Sequence, residues 1–209
     1  RTPSSSRTRA TKMAYDVAGN FDPRVYKFAA KAVPGLLTAV MNPASMIRSL
    51  LDSGARLDEL VSAQGPIDKL RALQRKGTVV LAPTHCSNLD SIAIAWVLLR
   101  ENLSPVVYGA GKNLFSNPII SFFMHNLGAY RVDRRIKATL YKEVLKSYSS
   151  VMIERGYHSL FFPGGTRSRS GAIEKRLKLG LAGSGVEAFS RNHARGVRRP
   201  VYFVPATIN

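Results

Sequence analysis

A histidine and an aspartate five positions apart are the residues whose types and spacing could do chemistry. His85 follows a short apolar segment, residues 78–82, that predicts a buried strand, and Asp90 precedes another, residues 92–99, that predicts a helix. In α/β sheets the turn after a strand exposes reactive groups. If this turn folds back, the Asp90 carboxylate can hold one imidazole nitrogen of His85 and leave the other as a base. Such a pair could take a proton from an alcohol.

The same turn also admits interpretations without this chemistry. Ser87 and Asp90 have the spacing of a helix capping box, in which an acid is favoured near the positive end of the helix dipole. His85 would then be an ordinary loop histidine. Alternatively, the thiol of Cys86 could accept an acyl group beside the histidine, although neighbours on an extended chain point to opposite sides. Taken alone, this stretch leaves the three interpretations open.

A second segment of interest is the loop at residues 163–171, which follows a predicted strand at residues 158–162. Glycines after a strand let backbone N–H groups turn toward an anion, and guanidinium and hydroxyl groups can hold phosphate oxygens. The candidate binding residues in this loop are Gly165, Thr166, Arg167, Ser168 and Arg169. An exposed linker can have a similar composition. Neither a P-loop pattern nor a G-x-G-x-x-G pattern is present.

Further cations precede this loop and could complete a phosphate site. Arg131, Arg134 and Arg135 lie close together, and Lys112 lies some way before them. For Arg131 and Arg135 taken singly, a solvated run of charge is the simpler interpretation.

The composition limits the classes of partner. The 209 residues include 31 basic and 13 acidic side chains, a net charge of +18, which favours nucleic acid, anionic lipid or phosphorylated small molecules. No apolar run approaches the roughly 18 to 20 residues that span a bilayer, so no transmembrane helix is predicted. The single cysteine excludes an internal disulfide. The four histidines have no zinc-like spacing, so no metal site is predicted.

The order of the predicted elements divides the chain into three parts. Residues 1–21 read as a basic arm, disordered or extended, because residues 1–12 are rich in Ser, Thr and Arg and contain no acid. Residues 22–76 form a helical N-terminal segment with amphipathic turns, interrupted at Pro34. Residues 77–209 alternate strands with helices, which predicts an α/β domain with a mixed or mostly parallel sheet flanked by helices.

Four segments in order resemble the glycerolipid acyltransferases, the family of glycerol-3-phosphate and lysophosphatidate acyltransferases. His85 and Asp90 match its H-x-x-x-x-D signature, and residues 128–134 match its Gly-Ala-aromatic-x-hydrophobic-x-Arg block. Residues 162–168 match Phe-Pro-Glu-Gly-Thr-Arg-Ser except at Gly164, where the family usually carries Glu, and residues 201–208 match a strand that contains Pro. The chain stops soon after this last block, so the resemblance suggests an acyltransferase domain truncated at its C-terminus.

The resemblance implies transfer of a fatty acyl group to a hydroxyl of glycerol-3-phosphate or a lysophospholipid, in phospholipid biosynthesis. The donor would be a thioester of coenzyme A or acyl carrier protein, with no bound cofactor. His85 would be the general base, oriented by Asp90, and Arg134 and Arg167 would bind the phosphate, with Lys112 a looser match. Backbone N–H groups near Gly165 are candidates for stabilising the oxyanion.

The family also suggests a location and leaves two other functions to consider. We expect a peripheral protein at the cytoplasmic face of a membrane, with an anionic membrane surface as a partner. Because Gly164 replaces the usual Glu, a membrane-binding protein that has lost catalysis is one alternative. The other is a basic nucleic-acid-binding module, which is disfavoured because aromatic residues are not interleaved with the basic clusters.

Overall fold

The structure is a computed structural model that describes residues 3–41, 61–87, 90–165, 167–168, 177 and 179–209. Helices and strands alternate from residue 67 to the end. In chain order the elements are α1 (Pro3–Val17), α2 (Pro23–Met41), α3 (Ile67–Lys76), β1 (Thr78–Pro83), α4 (Asp90–Arg100), β2 (Val107–Gly111), a 3₁₀ helix (Lys112–Phe115), α5 (Pro118–Asn126), β3 (Ala129–Val132), α6 (Thr139–Glu154), β4 (Ser159–Leu160), α7 (Ala182–Ala194) and β5 (Val201–Ala206).

Within the described residues the strands form one five-stranded sheet in the order β3-β2-β4-β1-β5. Every neighbouring pair is parallel; Val80 of β1, for example, lies opposite Ser159 of β4 and Phe203 of β5. The predicted α/β class with a mostly parallel sheet is confirmed. Parallel strands end at the same edge of a sheet, so the turns after β1, β2, β3 and β4 are brought together there.

The two faces of β1 are buried in separate apolar clusters. Val79 and Leu81 pack with Leu98 of α4, whereas Val80 packs with Ile153 of α6 and Ala188 of α7. Burial on both faces is typical of a parallel sheet covered by helices. Because β1 is held on both sides, the turn that carries His85 starts from a fixed point.

Strand β4 is shorter than predicted. The pattern predicts a strand over residues 158–162, but the strand comprises only Ser159–Leu160. At its start the Val79 amide donates to Nδ1 of His158 at 3.1 Å, so a side chain rather than a strand carbonyl satisfies that amide. Burial lowers the pKa of His158, with a smaller contribution from Arg199. The neutral ring that burial favours can accept this hydrogen bond.

The prediction of a disordered or extended arm over residues 1–21 is wrong for Pro3–Val17, which forms helix α1. Val17 is 1% exposed and packs with Tyr130 of β3 and Tyr141 of α6. At Gly19 the chain passes so close to β3 that an added Cβ would lie 2.5 Å from the Ala129 carbonyl oxygen. Contacts with residues more than a hundred positions away therefore order a segment whose local composition suggests disorder.

Within the predicted helical segment 22–76, the structure has helices at Pro23–Met41 and Ile67–Lys76, whereas residues 61–66 are not helical. Helix α2 continues past Pro34 to Met41, so the predicted interruption is wrong. A proline can kink a helix without ending it. Helix α3 lies where the pattern places it. The helical turns predicted within residues 42–60 lie outside the described residues, and the division at residue 77 stays a prediction. Across the described chain, no helix has the length and apolarity needed to cross a bilayer.

Candidate active site

The turn between β1 and α4 brings the predicted pair together. Nδ1 of His85 lies 2.8 Å from Oδ2 of Asp90, whose side chain is 4% exposed. The same oxygen accepts the backbone N–H groups of Cys86 at 2.7 Å and Ser87 at 2.9 Å. With Nδ1–H donating to the carboxylate, Nε2 of His85 carries the lone pair. The imidazole therefore has the orientation that a base requires.

The structural and the chemical interpretation of this loop are compatible. The Ser87 N–H bond to Asp90 is one half of the predicted capping box. One carboxylate thus closes the turn and orients the ring. Asn88 and Leu89, between these residues, lie outside the described part of the chain.

Phe162 fixes the ring from a second direction. It lies just after β4, and its ring stacks on the imidazole of His85 with centroids 3.9 Å apart and an angle of 20° between the planes. The His85 side chain remains 16% exposed, so one edge is still accessible. Phe162 is not among the site residues predicted from the sequence. The signal was available, because Phe162 opens the third family block at the carboxyl end of a neighbouring strand.

His85 borders a cleft of about 860 Å³ at the carboxyl edge of the sheet. The turns after three other strands supply cations to its walls, and Ser91 and Asn113 contribute polar groups. The basic residues that line it are Lys112, Arg131, Arg134, Arg135 and Arg167. The structure thus brings His85 and the three cations predicted as phosphate ligands, Lys112, Arg134 and Arg167, to one cleft. Their roles stay predictions.

One acid lies among these cations and pairs with two of them. The Asp133 carboxylate accepts from Nε and Nη2 of Arg135 at 3.0 and 2.9 Å, and Nζ of Lys112 lies 3.6 Å away. The hydrogen bonds from Arg135, with a smaller contribution from Lys112, hold the pKa of the Asp133 carboxyl well below its usual range. Within the described residues, Arg134 and Arg167 form no ion pair. They are the cations most available to an incoming anion.

Arg131 is not the solvated charge that its sequence context favours. Its guanidinium carbon lies 5.0 Å from the centroid of the Phe115 ring, a cation–π contact. Its Nε is buried and has no hydrogen-bond partner among the described residues. Arg135, by contrast, has an 83% exposed side chain and is held by Asp133. The two arginines that looked alike in sequence therefore occupy different environments.

The Gly165 amide is already used within the loop. Its N–H donates to the Phe162 carbonyl at 3.0 Å with φ at +69°, so it closes a turn. An oxyanion-stabilising role for backbone N–H groups near Gly165 stays a prediction. The Ser168 amide donates to the His85 carbonyl at 2.7 Å and fastens the loop to the turn that carries His85. Thr166 and Arg169 lie outside the described residues. Roles for them and for the Ser168 hydroxyl stay predictions.

The Cys86 thiol is directed away from this site. Its Sγ donates to the Ile208 carbonyl at 3.4 Å, and Cys86 is not one of the residues that line the cleft. This geometry disfavours the alternative in which the thiol accepts an acyl group. Among the described residues, no group of three or more His, Cys, Asp and Glu side chains is placed to hold a metal ion.

Comparison with curated proteins identifies similar sequences. Glycerol-3-phosphate acyltransferase of Ectopseudomonas mendocina is 30% identical over 143 residues, which cover 68% of this chain and 17% of that protein. The enzyme of the same name from Aeromonas hydrophila is 32% identical over 140 residues, which cover 66% of this chain and 17% of that protein. The chain therefore matches less than a fifth of the length of these relatives.

Two further comparisons, one with a solved structure and one with a family model, also give a match. The 1-acyl-sn-glycerophosphate (LPA) acyltransferase PlsC from Thermotoga maritima is similar in structure, with a TM-score of 0.40 and 14% identity, over 97% of this chain and 83% of that one. A family model described as Acyltransferase matches residues 67–209, a range that begins at α3 and includes every residue lining the cleft. Since this match covers more than half of the chain, the protein belongs to the acyltransferase family.

Proposed function

We propose that this chain transfers an acyl group from an acyl thioester to a hydroxyl of a phosphorylated glycerol, either glycerol 3-phosphate or a lysophospholipid. One observation carries the proposal: His85, held 2.8 Å from Asp90, shares a cleft with Arg134 and Arg167. A base for an alcohol and cations for a phosphate are the two groups this reaction needs. The names of the relatives, glycerol-3-phosphate acyltransferases, support the choice of acceptor.

His85 acts as general base in the proposed reaction. Nε2 takes the proton from the acceptor hydroxyl while the hydroxyl oxygen forms a bond with the thioester carbonyl carbon. Asp90 stabilises the imidazolium that results, and Phe162 keeps the ring in position. The carbon–sulfur bond then breaks, the thiolate leaves, and the proton on Nε2 passes to it. The products are an oxygen ester and a free thiol, so atoms and charge balance.

The acceptor phosphate binds the cations that line the same cleft as His85. Arg134 and Arg167 line the cleft and have exposed guanidinium groups, which can form paired hydrogen bonds to phosphate oxygens. Lys112 is 57% exposed and its ion pair with Asp133 spans 3.6 Å, so its ammonium can turn to a phosphate with little loss. Anchoring the phosphate leaves a hydroxyl of the same small molecule near Nε2 of His85.

A thiol-release assay tests the proposal with long-chain acyl-CoA as the donor. Glycerol 3-phosphate and lysophosphatidate are compared in parallel, with glycerol as the matched acceptor that lacks a phosphate. We expect acceptor-dependent thiol release with at least one phosphorylated acceptor and very little with glycerol, because only the phosphorylated molecules engage the arginines. Repeating the assay with an acyl carrier protein thioester identifies the donor. No release with any phosphorylated acceptor and either donor, or equal release with glycerol, would contradict the proposal.

A further inference from the structure

Arg131 is a cation of the cleft to which the proposed reaction assigns no role. It lies within β3 between Tyr130 and Val132, which pack in the cluster of Val17 and Tyr141. Because side chains alternate along a strand, Arg131 points to the opposite face of the sheet. It also lines the cleft. The strand therefore places its one charged side chain beside the cavity.

The guanidinium of Arg131 is held in position but lacks an acceptor in the protein. Phe115 of the 3₁₀ helix covers it, with 5.0 Å between the guanidinium carbon and the ring centroid. Nε is buried without a hydrogen-bond partner, and the side chain forms no ion pair with the described residues. A cation–π contact offsets part of the cost of removing a cation from water, but it provides no oxygen for the N–H groups.

The acid closest in sequence to Arg131 is already occupied. Among the described residues, Asp133 is the one acid that lines the cleft, and it pairs with Arg135 and Lys112. Buried or half-buried charges are normally paired, so a bound anion is the partner that Arg131 lacks. The planar fork of a guanidinium matches the oxygens of a phosphate, to which it can donate two parallel hydrogen bonds.

The charge of the cleft exceeds that of one phosphate. The described residues that line the cleft include five basic side chains and one acid. A phosphate monoester carries about 1.5 to 2 negative charges at pH 7, so positive charge remains when the acceptor phosphate is bound to Arg134 and Arg167. We propose that Arg131, held by Phe115, is a further phosphate-binding residue of this cleft. Nothing in its sequence context distinguishes it from the exposed Arg135.

Two substrates of the proposed reaction carry phosphate. The acceptor has one phosphate group, whereas a coenzyme A thioester has a diphosphate and a ribose phosphate. The positive charge that remains beside a bound acceptor favours the donor. This assignment rests on the proposed function, because it names a ligand of the same cleft. With either source, removing the guanidinium weakens the binding of a molecule that carries phosphate and leaves the binding of a molecule without phosphate unchanged.

Isothermal titration calorimetry of the full chain with coenzyme A and with glycerol 3-phosphate tests the proposal without turnover. We expect R131L to weaken the binding of at least one of these probes by about tenfold to a hundredfold, the usual contribution of hydrogen bonds to a charged group. R131K keeps the charge but loses the paired hydrogen bonds, so its loss should be smaller. R75L, which replaces an exposed arginine outside the cleft, is the matched control and should bind like the parent.

Phe115→Leu distinguishes a phosphate ligand from a residue that only holds the 3₁₀ helix in place. This variant removes the ring but leaves the guanidinium, so we expect a smaller loss of binding than in R131L. Circular dichroism and denaturant titrations check that the variants are folded; if R131L does not fold, a loss of binding in folded R131K is the deciding result. The proposal is overturned if R131L binds both probes like R75L, if F115L loses as much affinity as R131L, or if the parent binds neither probe.

Thiol-release kinetics identify the source of the phosphate. A higher KM of R131L for acyl-CoA, with an unchanged KM for an acyl-pantetheine thioester that lacks phosphate, assigns Arg131 to the donor. A higher KM for glycerol 3-phosphate with both donors assigns it to the acceptor. Arg131-dependent binding of a probe without any thiol release would contradict the proposed function and leave the subsite intact. Thiol release with unchanged KM values and unchanged probe binding in R131L would do the reverse.

Discussion

The two walls of the cleft are built differently. On the side of His85, which we call the wall of the base, one buried carboxylate oxygen of Asp90 accepts hydrogen bonds from the His85 ring and from two backbone N–H groups. Phe162 stacks on the imidazole. On the wall of the cations, Arg134 and Arg135 are exposed and Asp133 pairs with two basic groups. The proposed base is thus preorganised, whereas Arg134 and Arg167 remain exposed to solvent before an anion binds.

This difference predicts how substitutions on each wall should act. Replacing a buried carboxylate that accepts hydrogen bonds from two backbone amides, as Asp90 does, destabilises a fold by about 1–3 kcal/mol, whereas an exposed charged side chain contributes little to stability. Changes on the wall of the base should therefore alter both turnover and stability. Substitutions of the exposed arginines Arg134 and Arg167 should alter substrate binding and leave the fold intact.

His85→Ala should produce the largest effect, because it removes the proton acceptor. We expect turnover in the thiol-release assay to fall by about two to four orders of magnitude, the usual contribution of a general base. Cys86→Ser is the matched control at the neighbouring position and should retain activity, since the thiol faces the Ile208 carbonyl. Normal acyl transfer by purified His85→Ala would remove the basis of the proposed mechanism.

Asp90→Asn should come next and should affect both turnover and stability. An amide orients the ring less well and does not stabilise an imidazolium, so turnover should fall about a hundredfold or more. The weaker hydrogen bonds to Cys86 and Ser87 should lower the free energy of unfolding by about 1–3 kcal/mol in denaturant titrations. Asp68→Asn, which removes a 96% exposed acid from α3, is the control. Equal behaviour of the two variants would contradict a preorganised base.

Arg134→Ala and Arg167→Ala should change binding more than turnover. Each removes charge-assisted hydrogen bonds to the acceptor phosphate, so the KM for that acceptor should rise about tenfold to a hundredfold with a similar kcat. Arg75→Ala, an exposed arginine of α3 outside the cleft, is the control. A KM that does not change in either cleft variant would show that the phosphate binds elsewhere.

Asp133→Asn should have the smallest effect, which appears in the pH dependence of stability. Since Arg135 and Lys112 hold the pKa of this carboxyl below its unfolded value, the pair stabilises the protein at pH values above about 4 and loses that contribution as the pH falls. Denaturant titrations at pH 7 and pH 3 should therefore show a smaller acid-dependent loss in Asp133→Asn than in the parent. Parallel losses would mean that the pair does not contribute.

Local features of the site could be predicted from the sequence, because short spacings determine them. His85 and Asp90 lie in one turn, and a carboxylate at the start of a helix reaches back naturally to the N–H groups before it. The parallel sheet could be predicted from alternating elements, and it brings Lys112, Arg134 and Arg167 to one edge. In each case, periodicity and strand direction carry the information.

Features that depend on distant contacts, or on the exact path of the chain within a turn, could not be predicted. Helix α1 is ordered by Tyr130 and Tyr141, which no property of its own composition indicates. The pairing of Asp133 with Arg135, and not with Arg131, depends on how the chain turns after β3. The Gly165 amide looked available because a glycine-rich loop can bind anions, yet the turn directs it to the Phe162 carbonyl. A sequence pattern gives the types of the residues, but it does not show which hydrogen-bond donors are already paired within the fold.

The hydrogen bond from the Ser168 amide to the His85 carbonyl joins the two walls through the main chain. Arg167 precedes that amide, so under the proposed function a phosphate that displaces this arginine would also shift the turn that carries His85. Acceptor recognition and proton abstraction would then be mechanically linked, and an analogue that seats its phosphate poorly should also misalign the imidazole. Such a linkage would let the protein discriminate among acceptors during the chemical step as well as on binding.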